Sequence, residues 1–265
     1  MIVTTSHRSQ LSDVYAAQRF ARDACCIYMP RDNRSLKAFQ IKYDTAVVIV
    51  MENGQPAVYQ DQTRFIFHRG MSELRILNLL RGGNDPLIHA LGLRSGMSLL
   101  DCTVGLAADA LVAAYAAGPV GRVLGLESVS LIAMLTGWGL RELSGESSDA
   151  RSETIAAASC IDILNVDHRE LLAALPDRSF DVVYFDPMFR RAKQASAGIR
   201  SLRSFADHKQ LEPESLKQAV RVARSRVVIK ESRGSGEFDR LGVRRFAGGR
   251  YGSVHYGILC AEEGL

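Results

Sequence analysis

Hydrophobic and polar positions follow two different rhythms along this 265-residue chain. Up to residue 68, short β-prone runs alternate with polar helical stretches. Residues 1–6 read as a strand running into a turn or helix cap, residues 10–24 as a helix, and residues 25–29 as a second strand ended by Pro30. A helix is predicted over 33–42, with Asp32 or Asn33 as its cap. Residues 46–51 are strongly β-prone, Asn53-Gly54 marks a hairpin turn into 57–59, and 63–67 is one more strand. Together these predict a small α/β domain over 1–68. Residues 69–92 read as a helical bridge. Met71, Leu74, Leu77 and Leu80 recur at helical spacing and are expected to face a core. Gly82-Gly83-Asn84 breaks that helix, and Asp85-Pro86 starts another.

Beyond residue 93 the rhythm becomes a strict alternation. Strands are predicted over 98–101, 122–127, within 156–166, and over 180–186, 226–230 and 255–260. Helices are predicted over 105–117, 130–143, 169–174 and 211–224, with a polar loop or frayed helix end over 142–152. Repeated βα units predict a parallel sheet with helices on both faces, occupying 93–265.

Composition narrows the class. Hydrophobic residues are 47% and charged residues 23%, which suits a chain that buries its own core. No apolar run is long enough to span a bilayer, and the start lacks the order of a signal peptide. The five cysteines are odd in number and contain no CxxC pair, so they read as reduced thiols of a cytoplasmic protein. Six histidines are scattered without ligand spacing, and no metal site is predicted. The excess of four positive charges fits an acidic partner such as nucleic acid. Arg190, Arg191, Lys193, Arg200 and Arg203 concentrate that charge, although a solvated face explains such a run equally well.

Four strand ends carry candidate chemistry. The first strand ends in Asp101, and Gly105 follows in a turn where the backbone can approach a ligand closely before a helix begins. That helix start favours a negative group such as a carboxylate. No GxGxxG is present, so a dinucleotide site is poorly supported. The second strand ends in Glu127, roughly 20 residues after the glycine turn, where an acidic side chain can accept hydrogen bonds from both ribose hydroxyls. The third ends at Asn165-Val166-Asp167, with His168 beside it. Asp167 can meet an adenine amine, cap the next helix, or do both. The fourth ends in Tyr184-Phe185-Asp186-Pro187-Met188-Phe189. Asp-Pro followed by an aromatic resembles the [DN]-P-P-[YF] loop of methyltransferases that modify exocyclic amines. Such an amine is a poor nucleophile because its lone pair is delocalised into the ring. Asp186 and the Pro187 carbonyl can accept its hydrogens and return electron density to nitrogen, while Phe189 stacks on the base for about 1–3 kcal/mol. A plain strand and proline turn is the competing reading of that fourth motif.

The stretch 82–261 resembles the RsmJ-like family of small-subunit ribosomal RNA guanine-N2 methyltransferases. The resemblance is carried by residues 83–93, by Asp101-Cys-Thr-Val-Gly-Leu-Ala-Ala-Asp-Ala110, by Val182-Val-Tyr-Phe-Asp-Pro-Met-Phe189 and by Val227-Val-Ile-Lys230. It implies a Rossmann-like class I methyltransferase sheet, S-adenosylmethionine as cofactor, and cofactor contacts at Ala108, Asp109, Glu127, Ser128, Asp167, His168 and Asp186. Asp109 also suits the first turn of its own helix. Two positions depart from the family's pattern: Arg190 follows DPMF where proline is usual, and Ala108 stands where arginine precedes the aspartate. The start of the chain and residues 67–75 look like those of uncharacterised relatives from Gram-positive bacteria.

The expected activity is methyl transfer to a guanine N2 amine in small-subunit ribosomal RNA, with the base flipped or unpaired to reach the pocket. Arg190, Arg191 and Lys193 would hold flanking phosphates, and Lys230 would orient the substrate. A small-molecule amine methyltransferase shares the same cofactor motifs, and a non-catalytic RNA-binding relative shares the fold.

Overall fold

A computed structural model describes residues 1–60, 63–145, 150–187, 210–249 and 252–261. The chain divides into two compact units, one formed by Met1–His68 and one beginning at Arg69.

The first unit is a five-stranded sheet in the order β2-β1-β3-β4-β5. Its strands are β1 (Ile2–Thr5), β2 (Ile27–Tyr28), β3 (Val47–Glu52), β4 (Gln55–Gln60) and β5 (Thr63–Ile66). β1 runs parallel to β2 and β3, and β3-β4-β5 form an antiparallel meander. The Asn53-Gly54 turn is made as expected, with φ of +50° and +77°. Two left-handed residues match the twist of a two-residue hairpin, which explains why this dipeptide sits there. Asp13 of α1 (Leu11–Asp23) accepts from the Gly54 N–H at 2.9 Å, tying the turn to the helix. Helix α2 (Leu36–Lys42) begins later than expected. Asp32 and Asn33 adopt left-handed backbone, and Ser35 is the cap, accepting from the Ala38 N–H at 3.1 Å. Phe39 of α2 closes a core against Val48 and Val50.

The second unit opens with α3 (Ser72–Leu80) and α4 (Pro86–Leu91). Asp85 caps α4, accepting from the N–H groups of Leu87 and Ile88, and Gly92 ends it in left-handed backbone. The leucine stripe of α3 does not face the core: Met71, Leu74 and Leu80 are exposed. Positions three apart fall behind by about 60° per step on a helix of 3.6 residues per turn, so four of them sweep half its circumference. The buried face is Ser72 and Ile76, four apart.

Seven strands follow the order β11-β12-β10-β9-β6-β7-β8. They are β6 (Ser98–Asp101), β7 (Arg122–Glu127), β8 (Ile161–Asn165), β9 (Phe180–Phe185), β10 (Ala223–Ser232), β11 (Arg245–Ala247) and β12 (Val254–Cys260). β6 to β10 are mutually parallel. β12 runs antiparallel to both β10 and β11, so the sheet is mixed at one edge where an all-parallel sheet was expected. β11 was not anticipated, because three residues are too few to show a period.

Helices cover both faces of this sheet. α5 (Ala108–Ala117) contacts α3, α4 and α7 (Ser152–Ala158), and α6 (Ser130–Leu143) lies over β7 and β8. On the other face α8 (His168–Ala174) and α9 (Pro213–Val222) enclose Leu172, Phe180, Val183, Leu216, Val227 and Ile229. A last helix, α10 (Glu237–Arg240), was also too short to foresee. The third strand lies within 156–166 as expected, and α7 takes the first residues of that stretch. Its Ala156–Ala158 run favours helix, and only the residues beyond Cys160 extend into β8. No helix among the described residues is long and apolar enough to cross a membrane.

Two long-range tethers fix the layers. Asp181, at the start of β9, accepts from the Ser98 N–H and hydroxyl at 2.8 and 2.7 Å, locking the register with β6. Arg221 of α9 donates to the carbonyls of Leu172 and Leu175 at 2.7 and 2.8 Å, satisfying the open end of α8. Arg221→Ala is expected to destabilise the second unit by about 1–3 kcal/mol, the worth of charge-assisted hydrogen bonds to groups otherwise left unmade. Urea unfolding followed by fluorescence of Trp138, the single tryptophan, reads this unit directly.

Candidate active site

The five parallel strands deliver their carboxyl ends to one edge, where ligands bind in open α/β sheets. Asp101 ends β6 almost fully buried, and one of its oxygens accepts from the Thr103 N–H at 3.1 Å. Burial above all, with the nearby charges of Asp109 and Asp186, pushes its carboxyl well above the ordinary range. The loop over 102–107 is then pinned at several points. Val104 N–H donates to the Leu126 carbonyl at 3.0 Å, Ala107 N–H to the Val104 carbonyl at 2.8 Å, and the Thr136 hydroxyl to the Gly105 carbonyl at 2.7 Å. Gly105 has φ of +53° and Ala107 +60°. The left-handed alanine is a strained residue, of the kind that persists only where its surroundings over-determine it. This loop delays α5 to Ala108, three residues beyond the expected start. The loop also leans on β7, where a Cβ on Gly125 would lie 2.7 Å from Val104 Cγ2 and 2.9 Å from Ile163 Cδ1.

Glu127 ends β7 and accepts from the Val129 N–H at 2.9 Å. Asn165, at the end of β8, donates to the carbonyls of Glu127 and Ser128 at 2.8 and 3.3 Å and accepts from the Ser130 hydroxyl at 2.8 Å. It thereby fixes the course of Ser128. Asp167 caps α8, accepting from the Arg169 N–H at 2.9 Å and from its guanidinium at 3.0 and 2.6 Å. Those hydrogen bonds to Arg169 hold its carboxyl well below the usual range. The capping reading of Asp167 is therefore realised. His168 meets Phe185 edge-on, with ring centroids 5.5 Å apart.

The centre of the edge is an ionic cluster. Lys230 of β10 donates to Asp186 Oδ2 at 2.6 Å and to Asp109 Oδ2 at 2.8 Å. Asp109 also receives the Tyr184 hydroxyl at 2.8 Å on the same oxygen and Arg75 Nη1 at 2.5 Å on the other. Arg75 is gripped in turn by Asp85, with contacts of 2.7 and 2.9 Å. Asp186 adds a backbone bond from its N–H to Thr103 Oγ1 at 2.6 Å, joining the end of β9 to the glycine loop. Burial alone would raise the Asp109 carboxyl, but Lys230 and Arg75 overcome it and hold it well below the ordinary range. Asp186 goes the other way: burial, reinforced by Asp109, raises it against the pull of Lys230. Lys230 stays protonated despite its own burial because two carboxylates face it.

The expected residues Asp101, Gly105, Ala108, Asp109, Glu127, Ser128, Asp167, His168, Asp186, Pro187 and Lys230 thus lie on this edge or on the loops and helix starts that leave it. Asp101, Asp109, Asp186 and Lys230 form one electrostatic group. Phe189, Arg190, Arg191 and Lys193 lie outside the described residues. Arg75, Thr103, Tyr184 and Asn165 are additions, to which sequence reading gave no role. The signal for Arg75 was its place at the end of the 67–75 stretch shared with the Gram-positive relatives, which gave it no partner.

Five parallel strands with a single glycine turn after the first, an acid ending the second and Asp-Pro ending the fourth define a Rossmann-like fold. Carboxylates outnumber cations around the centre of the edge, which suits a positively charged sulfonium cofactor. Residues 34–240 match the family model described as "Putative SAM-dependent methyltransferase". The chain is 32% identical to the uncharacterised protein YpiP of Bacillus subtilis, over 97% of this chain and 98% of that protein. It is 29% identical to ribosomal RNA small subunit methyltransferase J of Hahella chejuensis, over 63% of this chain and 68% of the relative. Its fold matches the crystal structure of a SAM-dependent methyltransferase from Neisseria gonorrhoeae with a TM-score of 0.63 at 16% identity, covering 98% and 96% of the two chains. The chain belongs to the SAM-dependent methyltransferase family, and its cofactor is S-adenosylmethionine. The resemblance to the small-subunit methyltransferases J is borne out.

Asp109→Ala would leave Arg75 and Lys230 without their shared counter-charge, at an expected cost of about 3–5 kcal/mol. Because the Asp109 carboxyl is depressed in the folded protein, its contribution is present above its unfolded value near 4 and fades as pH falls further. The gap between wild type and variant in urea unfolding should therefore be full at pH 7 and narrow below about pH 4. A gap that stays constant into acid would remove Asp109 from the charge balance.

Proposed function

We propose that this protein methylates a guanine exocyclic N2 amine in small-subunit ribosomal RNA, in the cytoplasm. The observation that carries the reading is Asp186. It stands at the end of a central strand, followed by Pro187, with its N–H bound by the glycine loop and one carboxylate oxygen clamped by Lys230. This is the placement an acceptor needs to receive the hydrogens of a planar amine. The relatives named as ribosomal RNA small subunit methyltransferases support the choice of RNA.

S-adenosylmethionine, when bound, supplies a sulfonium methyl group for in-line displacement. Glu127 would receive the ribose hydroxyls, and the loop from Asp101 through Gly105 to Ala108 would line the methionine end. Ser128, Asp167 and His168 would flank the adenine; three of the four lone-pair positions of Asp167 serve Arg169, leaving one for an amine. Asp186 holds an amine hydrogen while the nitrogen lone pair forms its bond to the methyl carbon. The displaced sulfur would keep the electron pair of its bond to the methyl carbon, and Asp186 would take the surplus proton from nitrogen and pass it to water. Positioning supplies most of the acceleration. In sequence, Phe189 follows as a stacking residue and Arg190, Arg191 and Lys193 as phosphate ligands.

The test is transfer of labelled methyl groups to small ribosomal subunits and to their naked RNA, both taken from cells lacking this protein, with nucleosides identified by mass. N2-methylguanosine is the expected product, and Asp186→Asn should slow its formation by about 100-fold or more. Affinity for RNA should fall steeply between 50 and 200 mM salt, on the order of 10-fold for each few phosphates contacted. Methylation of free amines with no salt dependence would favour a small-molecule substrate instead.

A further inference from the structure

The two carboxylates that share Lys230 are held very differently. Asp109 has no freedom: Arg75 occupies Oδ1, while Tyr184 and Lys230 share Oδ2. Arg75 is itself fixed by both oxygens of Asp85, whose carboxylate also caps α4. Every member of this group is therefore tied to a helix or strand of the second unit. Asp186, by contrast, has one oxygen bound to Lys230, while its Oδ1 makes no hydrogen bond among the described residues. Its carboxylate is also the more open of the two, with 28% of the side chain exposed against 12% for Asp109.

We propose that Lys230 is a positioning residue: anchored on Asp109, it clamps Oδ2 of Asp186, fixes the plane of that carboxylate, and leaves Oδ1 as the acceptor presented to the substrate amine. The function of the clamp rests on the reading of Asp186 as amine acceptor. Asp109 then serves as the anchor of the clamp, a role distinct from the cofactor contact implied by family resemblance, and Arg75 and Tyr184 are the anchor's supports. The charge balance agrees. Arg75 and Lys230 stand against Asp85, Asp109 and Asp186, so a lysine lies close to a cationic methyl donor without making its surroundings positive.

The clamp also sets the charge of Asp186, because opposing groups face it from several elements. Lys230 on β10 and Arg75 on α3 favour the ionised form. Asp109 on α5, Asp101 on β6 and Glu231 on β10 oppose it. Tyr184 on β9 adds a hydroxyl to the same cluster, and Tyr256 on β12 feels both Asp109 and Lys230. Removing the cation and removing the anchor therefore act with opposite signs. Without Lys230, Asp186 ionises at higher pH; without the Asp109 charge, it ionises at lower pH.

Two measurements separate this proposal from the reading beneath it. In the cofactor-free protein, carboxyl-carbon NMR of labelled aspartate follows the ionisation of Asp186, with its signal assigned by its loss in Asp186→Asn. Lys230→Met should raise that midpoint by about one pH unit or more, Asp109→Asn should lower it, and Lys230→Arg should leave it close to wild type. The acid limb of kcat/KM for methyl transfer to ribosomal RNA should move with it in each variant. Calorimetric affinity for S-adenosylmethionine in Lys230→Met should stay within about threefold of wild type, a difference of under 1 kcal/mol. An unmoved NMR midpoint in both Lys230→Met and Asp109→Asn, or a tenfold loss of cofactor affinity in Lys230→Met, overturns the clamp. NMR shifts of the expected signs without movement of the kinetic limb retain the Lys230 grip and instead overturn the role of Asp186 as acceptor.

Discussion

A lysine ammonium held between two carboxylates, deep at the carboxyl edge of a parallel sheet, is the interaction on which the rest of this site depends. Charges removed from water at that depth are tolerated only when each finds a partner of opposite sign and well-formed hydrogen bonds. Lys230 meets this condition through Asp109 and Asp186, Asp109 through Arg75 and Tyr184, and Arg75 through Asp85. The chain of pairings runs from α3 and α4 through α5 to β9 and β10. It binds helices ahead of the methyltransferase sheet to the strands that present the reactive groups. The segment over 69–92, which reads as a bridge between domains, supplies two members of this cluster.

The second constraint is steric. The loop after β6 turns twice through left-handed backbone and rests on β7 at a point where only a hydrogen fits. Thr103 then reaches the backbone of Asp186, so the loop expected to line the methionine end and the strand expected to meet the amine are one connected piece. Such coupling suits methyl transfer, in which the acceptor nitrogen, methyl carbon and sulfur must fall in line. Misplacement by about an ångström can cost a factor on the order of 100 in rate. Tethers at the opposite end of the sheet, such as Asp181 to Ser98, serve the register that brings those strand ends level.

Much of this edge is legible in sequence for a simple reason. In a βα repeat, the position of a strand's last residue is set locally, by where an apolar run stops. Asp101, Glu127 and Asp186 can therefore be placed on one edge from alternation alone, and Asn53-Gly54 can be read as a tight turn because its backbone preference is its own. Local rules also have local limits. Three-residue spacing suggested a core stripe on α3, yet the helical period carries Met71, Leu74 and Leu80 into solvent and buries Ser72 and Ile76. The caps shifted likewise: Ser35 replaced Asp32 or Asn33, and left-handed residues pushed the start of α5 to Ala108.

What sequence alone determined was the succession of the longer strands and helices, the acids at the strand ends, and the family. What only the tertiary structure decided was who pairs with whom. Arg75 lies 34 positions before Asp109, and Lys230 lies 121 positions after it and 44 after Asp186. No periodicity or propensity connects residues at such separations, because their contact is a product of sheet order and helix packing. The antiparallel direction of β12 was hidden for the same reason, since strand direction is settled by a strand's neighbours. A charged residue in a sequence announces that it needs water or a partner, and only the folded chain, by removing the water, determines which partner that is.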